Sequence, residues 1–233
     1  MNAAVRMAPE LTPRALRAKS MISARRLSFA YDRRAVLSDL NLHIEAGEIV
    51  VLTGASGAGK TTLLTLCGAL RSVQGGELEV LGRNMKGLNA KEQREVRSSI
   101  GFIFQSHHLL EALTAGQNVV MSMVGRAPVA EASRRAETAL AALGLSHRVD
   151  AFPEQMSGGE QQRVAVARAL VRDPKLILAD EPTASLDDVS ANIVKAAIRD
   201  AARRLSCAVL LVTHDARLFD IADRRLRLVD GAL

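Results

Sequence analysis

Short apolar runs recur along the chain, and they have the length and the β-branched content of strands. Four of them occupy residues 49–52, 100–104, 176–179 and 209–212. Each is apolar on both faces, which is typical of strands buried in a parallel sheet. Residues 22–82 instead alternate between polar and apolar positions in shorter runs, which predicts an antiparallel sheet at the edge of the fold.

Helical periodicity fills the intervals between the buried strands. Apolar residues recur at three- and four-residue spacing over residues 60–70, 131–143, 159–171 and 189–205. This alternation predicts a layered α/β fold with a helical insert between the second and third strands. In the helix at 159–171 the apolar stripe faces the core, and we expect Arg168 and Arg172 to face away from it.

The four buried strands each stop at a polar residue or a glycine. They run into Thr53-Gly54, Gln105, Asp180-Glu181 and Thr213-His214, respectively. Open parallel sheets bind their ligands beyond the carboxyl ends of the strands. The pattern therefore predicts that these four ends form one shared site.

A phosphate-binding loop follows the first strand. Residues 54–61 read G-x-x-x-x-G-K-T between a strand and a helix, in which glycines let backbone N–H groups approach phosphate oxygens closely. Lys60 is expected to reach the β- and γ-phosphates, and the Thr61 hydroxyl is expected to ligate Mg²⁺. The predicted nucleotide-binding residues of this segment are Gly54, Ala55, Ser56, Gly57, Ala58, Gly59, Lys60, Thr61 and Thr62.

Two adjacent carboxylates follow the third strand. Asp180 is placed to hold Mg²⁺, and Glu181 is a candidate general base for an attacking water. Since Pro182 follows, we expect Glu181 to adopt an extended conformation that aims its side chain at the site. His214 ends the fourth strand, where a lone histidine is more often structural than functional.

The segment Ser157-Gly158-Gly159-Glu160 opens the helix at 159–171 and allows two interpretations. S-x-x-E is the pattern of a helix capping box. The two glycines are not needed for a cap, however, and they expose helix N–H groups that could bind an anion. The residues themselves leave a cap and a second phosphate contact equally open.

Composition narrows the class of protein. Of the 233 residues, 48% are hydrophobic and 24% charged, as in globular proteins. We find neither an uninterrupted apolar run of membrane-spanning length nor the pattern of a signal peptide. Cys67 and Cys207 lie in apolar surroundings and are expected to be core thiols, and His107 and His108 to be loop residues without a metal.

The formal charge of +6 does not predict nucleic-acid binding. Residues 1–34 hold eight basic and two acidic residues, whereas acidic and basic residues balance over the rest of the chain. Aromatic residues, which stack on bases, make up only 3%. We interpret residues 1–20 as a basic and flexible extension, with contact to anionic lipid or a partner as the alternative.

Taken together, the motifs resemble the ATP-binding subunit of an ABC transporter. The resemblance rests on residues 54–61, Gln105, residues 156–163, 176–181 and 185–188, and His214, and it covers about residues 21–233. It implies a P-loop NTPase core with a parallel sheet, an N-terminal antiparallel β-subdomain, and an inserted α-helical subdomain over about residues 106–172. ATP and Mg²⁺ are the implied cofactors.

The resemblance also implies roles for single residues. Tyr31 would stack on adenine, Gln105 would sense Mg²⁺ and the attacking water, Glu181 would be the catalytic base, and His214 would contact the γ-phosphate. The remaining four residues would act between two copies of the chain. Ser157, Gly158 and Gly159 would bind ATP held by the second copy, and Asp187 belongs to the loop that reaches across the dimer.

Residues 100–110 and 113–115 resemble one branch of the family, which serves lipoprotein release, macrolide export and glycolipid export (LolD-, MacB- and DevA-like proteins). DevA-like proteins are the closest match. The implied function is export or membrane extraction of a lipid, glycolipid, lipoprotein or drug-like substrate. Its implied partners are a membrane subunit and, in some systems, a periplasmic adaptor, and its implied location is peripheral, at the cytoplasmic face of the inner membrane.

Two other classes of protein explain the motifs less well. A soluble ABC-type ATPase acting on DNA or ribosomes predicts tandem ATPase domains or a long coiled-coil insertion, and neither is seen. A small-molecule or nucleoside kinase would share the phosphate loop but not the segment at 156–163.

Two residues depart from the usual family pattern, which has Leu and Gln where this chain has Met156 and Glu160. Met replaces Leu at similar volume. Glu160 places a negative charge near a phosphate site, which is unfavourable unless the carboxylate turns back to the Ser157 N–H. We predict that it does.

Overall fold

The computed structural model describes residues 19–233. Most of the predicted extension at 1–20 therefore lies outside the described residues, and its last residue, Ser20, begins the first strand. The strands are β1 (Ser20–Tyr31), β2 (Arg34–Glu45), β3 (Ile49–Thr53), β4 (Gly75–Val80), β5 (Arg83–Asn84), β6 (Ile100–Ile103), β7 (Leu176–Asp180), β8 (Ala208–Val212) and β9 (Arg224–Arg227). The helices are α1 (Lys60–Cys67), α2 (Ala90–Arg97), α3 (Ala115–Met121), α4 (Val129–Ala142), α5 (Gly158–Leu170) and α6 (Asp188–Leu205).

The N-terminal strands form an antiparallel sheet, as their alternation predicted. Its order is β2-β1-β4-β5, and Ile22 of β1 pairs with Ile44 of β2 on one side and Val80 of β4 on the other. All three side chains are fully buried, because one face of this sheet covers the central sheet. It is a sheet of its own rather than an edge of the central one.

The central sheet is parallel and has the order β6-β7-β8-β3-β9. Alternate side chains of β3 pack into two different hydrophobic cores, because successive side chains of a strand point to opposite faces of the sheet. Val50 and Leu52 pack with the antiparallel sheet and α1, whereas Ile49 and Val51 pack with α5 and α6 on the other face. Both faces are covered, which confirms the predicted α/β layering and explains why the strands are apolar throughout.

Three helices, α3, α4 and α5, lie between β6 and β7, where the sequence predicted a helical insert. Small residues on α4 and α5 allow the helices to approach closely. Ala132, Ala136 and Leu140 of α4 are buried in the core that α5 shares with the central sheet. The helix α5 thus connects the insert to the carboxyl ends of the strands.

The helix α2 and the strand β9 were not predicted, and α3 was predicted only as part of the helical insert. The strand β9 contains three arginines in four residues, and only its pairing with β3 makes it a strand. Arg168 and Arg172 lie off the apolar stripe of α5, as predicted, but they do not project freely into solvent. Arg168 donates to the carbonyls of His107 and His108 at 2.8 and 2.6 Å, and Arg172 donates to the carbonyl of Ser98, because these guanidinium groups satisfy loop carbonyls that no strand pairs.

The described part of the chain, residues 19–233, contains no helix that is both long and apolar enough to cross a bilayer. Cys67 and Cys207 are buried free thiols, as predicted. Burial raises the pKa of both thiols to about 12, so they are inert core residues.

Candidate nucleotide-binding site

An open cleft of about 1180 Å³ lies beyond the carboxyl ends of β3, β7 and β8. The predicted convergence of the strand ends is therefore correct. The structure places thirteen of the predicted site residues around this cleft. They are Tyr31, Ala55, Ser56, Gly57, Ala58, Gly59, Lys60, Thr61, Thr62, Gln105, Asp180, Glu181 and His214. Gly54 joins β3 to the loop, and the remaining four residues lie elsewhere.

The Lys60 ammonium is held inside the loop that precedes α1. Its Nζ donates to the Gly54 carbonyl at 2.6 Å and to the Ala55 carbonyl at 2.8 Å, and the residue is 9% exposed. The loop carbonyls thus fix a positive charge at the start of α1, where the helix dipole adds to it. This combination favours a polyanion in the cleft.

Two glycines of the loop are required by its geometry. Gly57 has φ of 78°, and a Cβ at this position would meet no atom within 4 Å, so its backbone lies open to the cleft. Gly59 has φ of 103°, and a Cβ there would lie 2.8 Å from the carbonyl oxygen of Val36. Side chains at these positions would strain the loop or collide with β2, which is why the phosphate-binding pattern needs glycine here.

Thr61 and Asp180 meet at the floor of the cleft. The Thr61 hydroxyl donates to the Asp180 carboxylate at 2.6 Å, although 119 positions separate them in sequence. A hydroxyl and a carboxylate are the hard oxygen ligands that Mg²⁺ prefers beside phosphates. Within residues 19–233 no cluster of three His, Cys, Asp or Glu residues could hold a metal by itself. The donor set therefore fits an ion shared with a phosphate ligand.

Glu181 does not have the extended conformation that Pro182 predicted, since its φ is 47°. Tertiary contacts outweigh the local preference. The Glu181 N–H donates to the Val212 carbonyl at 2.8 Å, and its Oε2 accepts from the Thr213 hydroxyl at 3.0 Å and from the His214 N–H at 3.3 Å. A non-glycine residue in this region is strained and persists only where its surroundings hold it, often at a functional site.

His214 lies on the same side of the cleft as Glu181. Its Nε2 is 4.0 Å from Glu181 Oε1, and its side chain is 58% exposed while that of Glu181 is 15% exposed. The imidazole is thus free to meet a ligand, whereas the carboxylate is oriented by hydrogen bonds. This arrangement differs from that of a structural histidine, which would be buried and satisfied by the protein.

Tyr31 is the last residue of β1 and also lines the cleft. Phe29 contacts its ring edge-on at 5.1 Å between centroids, and the Arg71 guanidinium lies over the ring at 4.8 Å from the centroid. The Tyr31 hydroxyl is 3.4 Å from the Thr62 hydroxyl. The ring is 41% exposed and fixed by its neighbours, as a stacking surface for a base should be.

Gln105 follows β6 and lines the cleft. Residues of α5 hold the chain on both sides of it. Gln162 donates to the Phe104 carbonyl at 3.4 Å and to the Pro182 carbonyl at 3.1 Å, and Arg168 holds His107 and His108. These two histidines are loop residues, and burial, followed by the charge of its neighbour, lowers the pKa of His107.

Ser157, Gly158 and Gly159 lie outside the cleft at the N-terminus of α5. Of the two interpretations of this segment, the capping box is present. The Glu160 N–H donates to the Ser157 hydroxyl at 3.2 Å, and the Ser157 N–H donates to Glu160 Oε2 at 2.8 Å. Ser157 and Gly158 are exposed. A cap does not exclude an anion contact, since the remaining N–H groups of this turn stay open to a ligand.

The prediction that Glu160 turns back to Ser157 is confirmed. Its second oxygen accepts from Arg148 Nε at 2.8 Å, and His147 Nε2 lies 3.9 Å away. The Ser157 backbone N–H chiefly, and Arg148 in addition, hold the pKa of Glu160 below its usual range. The Glu160 carboxylate therefore binds groups of its own chain and does not face a ligand.

Asp187 also lies outside the cleft, as the N-cap of α6. Its carboxylate accepts from the Ser190 N–H at 2.9 Å and from the Ser190 hydroxyl at 2.8 Å, and these bonds lower the pKa of Asp187. Arg163 of α5 donates to the same Ser190 hydroxyl. A Cβ on Gly159 would lie 3.4 Å from Leu186, so the starts of α5 and α6 pack against each other, and Ser157, Gly158 and Asp187 are exposed beside this contact.

Sequence reasoning missed four residues that organise the site. Thr213 orients Glu181, Arg148 neutralises Glu160, and Asp215 and Arg217 hold the loop before α6. The only available signal was their position beside a predicted site residue, as for Thr213 and Asp215 around His214. Arg148 gave none, because Glu160 is 12 positions away, and the contact of Arg217 with Asp188 gave none, because it spans 29 positions.

Comparison with known proteins agrees with this geometry. The family model described as ABC transporter matches residues 37–184. The lipoprotein-releasing system ATP-binding protein LolD of Shewanella denitrificans is 44% identical over 200 residues, covering 85% of this chain and 86% of LolD. LolD of Pseudomonas fluorescens is 40% identical over 221 residues, covering 92% and 97%. HrtA of Staphylococcus saprophyticus, named for hemin import, is 43% identical and covers 85% of this chain and 90% of its own length.

Among solved structures, the chain is similar to the ATP-binding cassette MJ0796, which was described as a dimer in a post-hydrolysis state bound to ADP and Pi. The TM-score is 0.84 at 31% sequence identity, and the match covers 91% of this chain and 96% of that one.

Proposed function

Because this chain belongs to the ABC transporter family and is an ATP-binding, ATP-hydrolysing subunit of it, we propose that it powers export or membrane extraction through a separate membrane subunit. The proposed cargo is a lipid, glycolipid, lipoprotein or drug-like molecule. We assign residues 21–233 to the ATPase domain and about 106–172 to its helical subdomain. The observation that carries the proposal is the convergence of Lys60, the Thr61–Asp180 pair and Glu181 in one cleft.

Each of these groups has a chemical task in hydrolysis. Lys60 and the loop N–H groups bind phosphate oxygens, and Tyr31 orients the adenine ring of the nucleotide. Thr61, Asp180 and Gln105 would hold Mg²⁺, which supplies positive charge against the phosphate oxygens when it is bound. Glu181, fixed by Thr213, accepts a proton from the attacking water, and the exposed His214 imidazole donates to the terminal phosphate.

A second copy of the chain completes the proposed site. Ser157, Gly158, Gly159 and Asp187 lie outside the cleft. The first three carry the pattern of a phosphate contact, and Asp187 belongs to the loop that would reach across the dimer. They reach a nucleotide only if that nucleotide is bound by another molecule. ATP then touches both copies only in the closed dimer, so ATP binding favours closure and hydrolysis favours release. The dimeric MJ0796 cassette supports this arrangement.

The proposed docking surface for the membrane subunit surrounds α3. Leu110 and Met121 are 51% and 49% exposed there, and Phe152 follows Ala151, whose carbonyl accepts the first N–H of α3. The buried Asn118 bonds the N–H and the carbonyl of Leu110, which keeps this apolar surface in place. We place the chain peripherally at the cytoplasmic face of the inner membrane, with a periplasmic adaptor as a further component in some systems.

The names of the relatives support transport by a membrane complex but differ in cargo, since LolD is named for lipoprotein release and HrtA for hemin import. We favour the lipoprotein, macrolide and glycolipid branch because LolD proteins recur among the relatives. The more specific similarity to DevA-like proteins stays a prediction.

Two measurements test the proposed function. The purified chain should release phosphate from ATP only when Mg²⁺ is present. When it is expressed with the membrane protein encoded beside it, the two should co-purify from detergent extract, and Leu110→Asp should weaken this association without lowering ATP binding. Stable co-purification with DNA or ribosomes in place of a membrane protein would contradict the proposal.

A further inference from the structure

Arg217 binds the segment that precedes α6. It lies in the 3₁₀ turn Ala216–Ile221, three residues after His214. Its Nη1 donates to Asp188 Oδ1 at 2.6 Å and to the Leu186 carbonyl at 3.3 Å, and its Nη2 donates to the Thr183 carbonyl at 3.3 Å. One guanidinium thus contacts both ends of residues 183–188.

Asp215 joins this contact from the other side. Arg217 Nε lies 2.9 and 3.0 Å from the two Asp215 oxygens, and Nη2 lies 2.7 Å from Oδ2. The same Oδ2 accepts from the Thr183 hydroxyl at 2.6 Å. All five N–H groups of Arg217 therefore have acceptors within the protein. Arg217 lines the cleft, but it has no donor left for a phosphate.

The contact continues to the carboxylate of Glu181. The Asp215 N–H donates to the Thr213 hydroxyl oxygen at 3.0 Å, and that hydroxyl donates to Glu181 Oε2 at 3.0 Å. Residues 183–188 and the Glu181 side chain are thus held by one short stretch of chain, residues 213–217. Arg217 and Asp215 connect the two.

We propose that Arg217 is a positioning residue that holds residues 183–188 in register with Glu181. This inference rests on the proposed function, in which a second copy closes on the surface that includes Asp187. When the dimer closes, residues 183–188 are then already fixed relative to the Glu181 carboxylate. The planar fork of arginine suits this role, because lysine offers one point charge and cannot reach acceptors on both sides at once.

The experiment compares three variants of the full chain. Arg217→Met removes the charge, Arg217→Lys keeps the charge without the fork, and Lys195→Met is the matched control. Lys195 donates to Asp220 at 3.1 Å and joins α6 to the same 3₁₀ turn without touching residues 183–188. For each variant, kcat and KM for ATP are measured, together with hydrogen–deuterium exchange of residues 183–188 without nucleotide.

We expect Arg217→Met and Arg217→Lys to lower kcat about ten-fold with KM within about two-fold, because the base is misplaced while nucleotide binding is kept. Exchange at 183–188 should rise in both, and Lys195→Met should behave as the wild type. An unchanged kcat, a rise in KM that matches the fall in kcat, or an equal loss in Lys195→Met would overturn the proposal.

Two further outcomes are decided by the same design. If Arg217→Met does not fold, Arg217→Lys decides the question alone. If the wild type itself hydrolyses no ATP, the proposed function fails, while the exchange measurement still decides whether Arg217 holds the segment.

Discussion

The Thr61 hydroxyl donates to the Asp180 carboxylate at 2.6 Å and joins the start of α1 to the carboxyl end of β7. The pair brings together a neutral and a charged oxygen ligand at the start of α1. It requires β3 and β7 to lie on either side of β8 with their carboxyl ends aligned. This relationship predicts how hydrolysis depends on the metal.

Asp180→Asn should lower the rate of ATP hydrolysis about 100-fold, because the amide still accepts from Thr61 but no longer offers a negative charge to Mg²⁺. The measurement is phosphate release against Mg²⁺ concentration. Thr61→Ser, which keeps the hydroxyl, is the control and should retain most of the activity. A wild-type rate and Mg²⁺ dependence in Asp180→Asn would show that this carboxylate holds no metal.

Glu181→Gln should lower turnover by about 10²- to 10⁴-fold while ATP binding is retained. Glutamine can still accept from Thr213 and from the His214 N–H, so the loop keeps its geometry. Size-exclusion chromatography with ATP should show a dimer for this variant, because closure is no longer followed by hydrolysis. Full ATPase activity in Glu181→Gln would assign the base elsewhere.

Lys60→Ala should fail at an earlier step, namely nucleotide binding. The Gly54 and Ala55 carbonyls then lose the ammonium that neutralises them, and the loop loses its positive charge. Binding of a fluorescent ATP analogue separates this variant from Glu181→Gln. Equal affinity in the two variants would contradict the assignment of Lys60 to the phosphates.

Glu160→Gln should keep ATPase activity within about two-fold of the wild type, because glutamine also forms a capping box. Glu160→Ala loses the bond to the Ser157 N–H and should destabilise the fold by about 1 kcal/mol. Urea unfolding and phosphate release measure the two effects. A large change of rate in Glu160→Gln would mean that the carboxylate itself faces the nucleotide.

The stability of the fold should depend on Asp215 at low pH. Hydrogen bonds from the Arg217 side chain, chiefly, lower the pKa of Asp215 to about 2, against an ordinary value of about 3.9. Since the folded pKa is depressed, the stabilisation is fully present above about pH 4 and is lost as the pH falls towards 2. Asp215→Asn should therefore unfold more easily than the wild type at pH 7.

Urea unfolding between pH 3 and 7 checks the Asp215 prediction. The difference in unfolding free energy between wild type and Asp215→Asn should be constant near neutrality and narrow below about pH 4. A difference that does not change over the whole range would assign the stabilisation to packing rather than to the ionised carboxylate.

Much of the fold follows from periodicity, and the exceptions have a common cause. β7 and β8 were predicted within one residue, because strands buried on both faces are apolar at every position. β9 was missed because it is an edge strand of Arg224, Arg225, Leu226 and Arg227, whose charges remain accessible to solvent or to partners such as Glu48. Its backbone pairing with β3 leaves no trace in the pattern of side chains.

The amino-acid sequence alone determined which groups are available and in what local order: a glycine loop before Lys60, two carboxylates after a buried strand, and a candidate cap or phosphate contact at Ser157. Only the tertiary structure decided the conformation of Glu181, the contact of Glu160 with Arg148, and the partners of Arg217. The physical reason is the distance along the chain over which each kind of interaction acts. Helix periods, caps and loop motifs act over a few neighbouring residues, whereas these contacts depend on sheet order and helix packing. Where the two conflict, as at Glu181 before Pro182, the long-range hydrogen bonds outweigh the local preference.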